Sequence, residues 1–168
     1  RSQILMTAAE LNAQGLFGPC NISSLGFQVS NKLSSSTYDG FTIGMAHSAA
    51  SSLTNTYETT TMSTVFSGNI STTLGWNTHV FTAPFAWDGT SNIIIETCFN
   101  NASTIGFDQV YMSPTTVSQF INVAFLTCTT PTGTAVLNRP NIRLTGGAVN
   151  YSWTANPDSD PPAAKSIL

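Results

Sequence analysis

Residues 75–100 read GWNTHVFTAPFAWDGTSNIIIETCFN, and the reading of this stretch decides the fold. His79, Phe81 and Ala83 alternate with Val80 and Thr82 as far as Pro84, the two-residue period of a strand with one buried face. Asp88-Gly89-Thr90-Ser91-Asn92 supplies turn chemistry, because Asp and Asn bond back to nearby amides and Gly tolerates left-handed backbone. Ile93, Ile94 and Ile95 follow as an unbroken β-branched run, which predicts a central strand buried on at least one face. Two core strands joined by a turn make an all-β chain the first expectation.

The flanking sequence repeats the pattern. Upstream, Leu25, Phe27 and Val29 share one face of a strand, as do Phe41, Ile43 and Met45 in the next, and Val65–Ile70 gives a short third. Downstream come Gly106–Met112, Gln119–Leu126 and Asn138–Leu144. In the second of these, Phe120, Asn122 and Ala124 lie opposite Ile121, Val123 and Phe125. Ile4–Leu11 fits either a short helix or a first strand with an irregular continuation. Lys32–Gly40 and Ser48–Thr61 read as polar surface loops. About eight or nine strands without crossover helices predict an antiparallel, jelly-roll-like β-sandwich over residues 1–145. Gly146-Gly147 breaks the pattern, and Asn156–Pro162 is rich in Pro and Asp. Residues 146–168 are therefore expected to be an extended linker, or the remnant of a following module, of which Tyr151–Thr154 would be the opening strand.

Composition narrows the function. Charged residues make up 8% of the 168, with a net charge of −3. The five basic residues are scattered from Arg1 to Lys165, which argues against a nucleic-acid surface, since phosphate binding needs clustered Lys and Arg. Ser and Thr together number 45 and Asn 14, so hydroxyls and amides carry solubility, as suits an extracellular β-protein. No apolar run is long enough to predict a transmembrane helix. The start at Arg1 suggests a mature product or a piece of a longer chain.

Cys20, Cys98 and Cys128 allow three alternative single disulfides. Cys98 reads as a small buried hydrophobe within IIIETCF, leaving Cys20–Cys128, both in turn-like surroundings, as the preferred bridge. Asp88 and Asp39, each followed by Gly, are the candidate calcium ligands, with an ordinary turn as the competing reading. A sugar-binding surface needs exposed aromatics beside amides and carboxylates. Trp76, Trp87, Tyr57 and Tyr111 are the aromatic candidates, with Asn77, Asp88 and Asn92 beside them in sequence. Trp76 and Trp87 are also suited to plugging the ends of the core, and Tyr57, in a polar loop, is expected to be the most exposed. No paired carboxylates or nucleophile elbow point to catalysis; His47 and His79 stand in no nucleophile or metal-ligand pattern.

In order, RSQILMTAAEL, ISSLGFQV, YDGFTIGM, VFSG, PFAWDGTSNIIIETCFNN and NRPNIRL resemble the β-sandwich accessory domains of secreted and surface multi-domain proteins of Bacteroidetes. The resemblance spans residues 1–144 and implies export by the type IX route as one segment of a longer precursor. It carries no catalytic residues. The YSWT fragment resembles the opening strand of the immunoglobulin-like or PKD-like modules that follow in such proteins. The expectation is a secreted, non-catalytic binding or adhesion module at the cell surface, with a polysaccharide or glycan as ligand and calcium as the one cofactor considered. The alternative is a structural spacer or assembly subunit, whose partners are neighbouring domains or identical subunits.

Overall fold

The run Ile93–Ile95 lies in β6 (Asn92–Cys98), and all three side chains are fully buried. Ile93 and Ile95 enter the main core, whereas Ile94 enters a second cluster on the opposite side of the sheet. The strand is thus buried on both faces, which is why its sequence does not alternate. At about 1.5–3 kcal/mol per buried side chain, these three residues are a large part of what fixes the strand at the centre.

The computed structural model describes residues 1–35, 37–101, 106–123 and 128–147, together with the backbone of 151–154. The remaining strands are β1 (Ser2–Met6), β2 (Cys20–Asn31), β3 (Tyr38–Ser48), β4 (Ser63–Ile70), β5 (Gly75–Trp87), β7 (Gln109–Val110), β8 (Met112–Pro114), β9 (Phe120–Asn122), β10 (Thr134–Val136), β11 (Asn138–Pro140), β12 (Ile142–Gly146) and β13 (Tyr151–Thr154). One sheet runs β10-β9-β1-β6-β3-β4, and the second runs β13-β12-β2-β5, with β7 also on β2. β8 and β11 form a separate two-stranded ribbon. Every pairing is antiparallel. The all-β sandwich expected from the sequence is the observed architecture.

β5 and β6 do not form a hairpin: they belong to opposite sheets, so the turn at Asp88–Ser91 carries the chain across the core. β5 keeps His79, Phe81, Phe85 and Trp87 buried, and the register against β2 shifts between Ile22 and Ser24, so that residues 81–84 bulge and accommodate Pro84. At the opening of the chain both expected alternatives occur in succession. β1 ends at Met6 and α1 (Ala8–Ala13) begins under a capping box, in which Thr7 Oγ1 accepts from Glu10 N while Glu10 Oε2 accepts from Thr7 N. Asn138–Leu144 is split between β11 and β12 around the buried Asn141. Tyr151–Thr154 pairs with β12 as the outer strand of the second sheet, while residues 155–168 lie outside the described residues. Of Gln119–Leu126, residues 124–127 likewise lie outside them.

The disulfide joins Cys98 to Cys128, with Cα atoms 5.8 Å apart, which corrects the expected Cys20–Cys128 bridge. β2 opens at Cys20 opposite Trp87, at the end of the sandwich where β6 begins, whereas Cys98 closes β6 at the other end. Cys20 is a half-buried free thiol, and burial pushes its pKa up.

The loop 49–62 is not a free surface loop. Leu53 and Tyr57 turn inward and join Leu5, Ile94 and Ile121, sealing the outer face of the first sheet. Tyr57 N donates to Pro131 O and Gly133 N to Asn55 O, which pin the loop against the 131–135 segment. The outer face of the second sheet has no such cover among the described residues, and that difference positions the site.

Candidate functional site: the open face of the second sheet

Pleating sends Leu25, Phe27, Ile142 and Leu144 of the second sheet into the core, together with His79. The residues between them face outward. Register gives their rows across β12, β2 and β5: Arg143, Gly26 and Thr78 in one, Thr145, Ser24 and Val80 in the next, and Gln28 opposite Trp76 at one end. Tyr111 N donates to Gln28 O at 2.9 Å. Val29, the next residue, is buried opposite Val110, so alternation places Gln28 outward beside Tyr111, which is 52% exposed. Tyr111 and Trp76 therefore flank the Gln28 amide on either side of β2, about 10 Å apart at two strand spacings. The Arg143 guanidinium stacks 3.9 Å over the Trp76 ring, a cation–π pair reaching across β2. Gly26 leaves the floor beneath it low: a Cβ there would stand 3.3 Å from Thr78 Oγ1 and 3.6 Å from Arg143 Cβ.

Beside this face, an open groove of about 390 Å³ runs between β4 and β5, lined by Phe66, Ile70, Asn77, Thr78, His79 and Val80. Asn77 is held by its amide, which donates to Thr73 O and Gly75 O. The His79 ring lies 5.1 Å from Phe66 and 5.3 Å from Phe41, and this burial lowers its pKa.

The other candidates from the sequence are not brought to this face. Trp87 is 1% exposed, its indole N–H donating to Ser91 O at 2.8 Å, so it plugs the core and offers no stacking surface. Tyr57 is 3% exposed, corrected from the expected exposed aromatic. Its hydroxyl donates to Arg1 O, the Arg1 guanidinium lies 4.2 Å over its ring, and burial pushes its pKa up to about 12. Asn92 is spent on structure: its Oδ1 accepts from Ala8 N and its Nδ2 donates to Ala50 O. Asp88 accepts from Thr90 N, Ser91 N and Ser91 Oγ, and these bonds, Ser91 foremost, hold its carboxyl well below the usual carboxylate range. Beside it, His47, Ser48, Thr90, Ser91 and Asn92 line a shallow depression of about 430 Å³.

Asp39 sits at the start of β3, with Thr37 Oγ1 and Asn101 Nδ2 donating to its carboxylate. Asp88 N lies against His47 at the other end of β3, so the two aspartates stand roughly 30 Å apart along the strand and do not share one cation site. Among the described residues, no three His, Cys, Asp or Glu side chains converge as metal ligands. Nor is any helix among them long and apolar enough to cross a membrane.

The charges that remain are mostly structural. Arg1 bonds Glu96 at 2.7 Å, and the buried Arg139 reaches Glu10, Gln119 Oε1 and Leu5 O. Burial raises the Glu10 pKa, but Arg139 and Thr7 outweigh it and leave it lowered. Asp108 is opposed in the same way. Burial works against its charge, yet Thr72 Oγ1, Leu33 N, Ser34 N and Ser34 Oγ donate to it and hold its pKa down at about 2.

These shifts predict an acid limb in stability. His79 is neutral in the fold while the unfolded chain takes up a proton near 6.5, so stability falls as pH drops through 6.5 toward the lowered folded value. Asp108 contributes above its ordinary value of 3.8, and that contribution is lost as pH falls to about 2. Melting midpoints taken from pH 8 to pH 2 should show both declines, and Asp108→Asn should flatten the second; an unchanged slope below pH 4 in that variant would contradict the assignment.

What sequence reasoning missed at the site is Gln28 and Arg143, because only strand register brings positions 28, 76, 111 and 143 together. Alternation in 21–29 does place Gln28 outward, and that was the one signal available. Comparison of the chain with protein-family models, with curated proteins and with solved structures gave no significant match.

Proposed function

We propose that the protein is a non-catalytic binding module whose open second-sheet face holds a polysaccharide. The observation that carries this reading is the pairing of Trp76 and Tyr111 around Gln28 on a face that has no cover among the described residues, while the opposite face is sealed. Aromatic rings stack on the apolar faces of sugar rings, and amides, hydroxyls and a guanidinium take their hydroxyls. Location outside the cell, in a larger surface protein of the Bacteroidetes type, is part of the same reading. The Cys98–Cys128 disulfide supports it, since such bonds persist in oxidising compartments.

Pull-down of the chain on insoluble polysaccharides tests the assignment. Trp76→Ala and Tyr111→Ala should each weaken binding about tenfold, with unchanged melting curves. Full binding in the double variant would remove the face from the account.

A second reading, a spacer or assembly unit with only protein partners, is favoured by one observation. β13, the last strand of the second sheet, pairs only with β12 among the described residues and leaves a backbone edge to which a strand could add. Concentration-dependent association in sedimentation, abolished by a proline in β13, would favour it.

A further inference from the structure

We infer that the groove between β4 and β5 seats one ring of a neutral glycan, with the His79 imidazole as its polar anchor; this rests on the binding reading above. Thr82 Oγ1 donates to Val65 O at 3.1 Å and ties the two strands together there. Beyond that tie the groove opens, with Phe66 and Ile70 on one wall and Thr78, His79 and Val80 on the other. Its volume of about 390 Å³ lies at the small end of ligand clefts, which run from about 300 to 1,000 Å³. It adjoins the open face directly. Trp76, Thr78 and Val80 alternate onto the same side of β5, so the groove begins about 7 Å from Trp76, and a chain stacked on that indole reaches it within a ring or two.

His79 supplies the one buried polar group at the wall of this groove. The residue is 9% exposed, and its ring is packed by Phe66 at 5.1 Å, Phe41 at 5.3 Å and Phe27 at 6.3 Å. A neutral imidazole carries one N–H donor and one acceptor nitrogen, and neither has a hydrogen-bond partner among the described residues. Buried polar atoms are paired as a rule, and the groove is where a partner can enter. Asn77 cannot serve, because its amide is spent on Thr73 and Gly75. Phe66 and Ile70 offer apolar surface to the C–H face of a pyranose, and the exposed hydroxyls of Ser71 and Thr78 line the groove beside them. Charge narrows the ligand further. Neither β4 nor β5 contains Asp, Glu, Lys or Arg, and none of these lines the groove. A carboxylate, phosphate or ammonium would lose hydration there without meeting a counter-charge, whereas a neutral ring brings only hydroxyls, which the imidazole and the two hydroxyls can meet.

The test titrates the full 168-residue chain with cellohexaose, mannohexaose, xylohexaose and hexagalacturonate by calorimetry at neutral pH. At least one neutral hexaose should bind about tenfold or more tightly than hexagalacturonate. His79→Phe keeps the aromatic packing and removes both ring nitrogens. It should weaken that hexaose about tenfold while the melting midpoint holds or rises, since an unpartnered polar ring gives way to hydrocarbon. Ser71→Ala with Thr78→Val, which leaves the core untouched, should weaken it severalfold and decides the matter if His79→Phe fails to fold. The hexaose should also shift the His79 ring-nitrogen resonances of the wild type, which a histidine with a purely structural role would not show. Unchanged affinity in the groove variants, or still His79 resonances, alongside losses in Trp76→Ala and Tyr111→Ala, overturns the groove and keeps the face as a glycan site. Losses confined to the groove variants support the groove and remove the Trp76–Tyr111 pair. Tighter binding of hexagalacturonate overturns the neutral assignment, and failure of all four hexaoses to bind overturns both readings.

Discussion

Trp87→Ala should destabilise the protein by about 3–5 kcal/mol, lowering the melting midpoint on the order of 10 °C. The indole is fully buried in the main core at the end of β5, where the chain leaves one sheet for the other. Its removal leaves a cavity and deprives Ser91 O of the indole N–H inside the very turn that makes the crossing. The site has little freedom to collapse. The backbones of Gly18 and Gly89 pass in direct contact there, and a Cβ on Gly18 would already lie 3.2 Å from the Trp87 ring. Gly89 also has φ +84°, so neither backbone can shift easily to fill the void. Urea unfolding of the variant measures the loss, and a cost below about 1 kcal/mol would contradict the burial described. Trp87 is thus a stability residue, and any binding lost in its alanine variant should scale with unfolding.

Removing the disulfide is the second large effect. Cys98→Ser with Cys128→Ser opens a loop of 30 residues. Chain-entropy arithmetic puts the cost at about 3–4 kcal/mol, through a less constrained unfolded state. The bridge ties the end of β6, at the centre of the first sheet, to the segment that leads into β10. Chemical unfolding with and without reductant should reproduce the difference in the wild type and show none in the double variant. Thiol titration of the unfolded, unreduced chain should find one group, Cys20. Two or more thiols, or reactivity of Cys128 alone, would overturn the pairing.

The contrast between what was legible in the sequence and what was not follows from physical range. Alternation is a local property, and it marked β2, β3 and the first half of β5. The run at Ile93–Ile95 announced a central strand, although burial on both faces came from Leu53 and Tyr57, a loop's tertiary choice that no strand pattern records. Tyr57 sits in a polar stretch and was expected outside for that reason. It is inside because the outer face of β1 and β6 is apolar at Leu5 and Ile94 and needed a cover. Asp88 and Asn92 lie beside Trp87 in sequence, but the turn consumes one and the contact with Ala8 and Ala50 the other. Trp76 does lie on the open face, yet its neighbours come from positions 28, 111 and 143, which only register across β2 assembles. The cysteine pairing failed for the same reason: turn-like surroundings at Cys20 and Cys128 say nothing of which end of a sandwich each occupies.

The most direct test of the account is a titration followed through the tryptophan indole N–H signals by nuclear magnetic resonance. The chain has three tryptophans, Trp76, Trp87 and Trp153, and single substitutions assign their resonances. Addition of soluble oligomers of a polysaccharide retained in the pull-down should move the Trp76 signal to saturation while the Trp87 signal stays in place. A Trp87 signal that moves while Trp76 stands still, or no movement at any ligand concentration, would contradict the assignment of the second-sheet face as the binding surface.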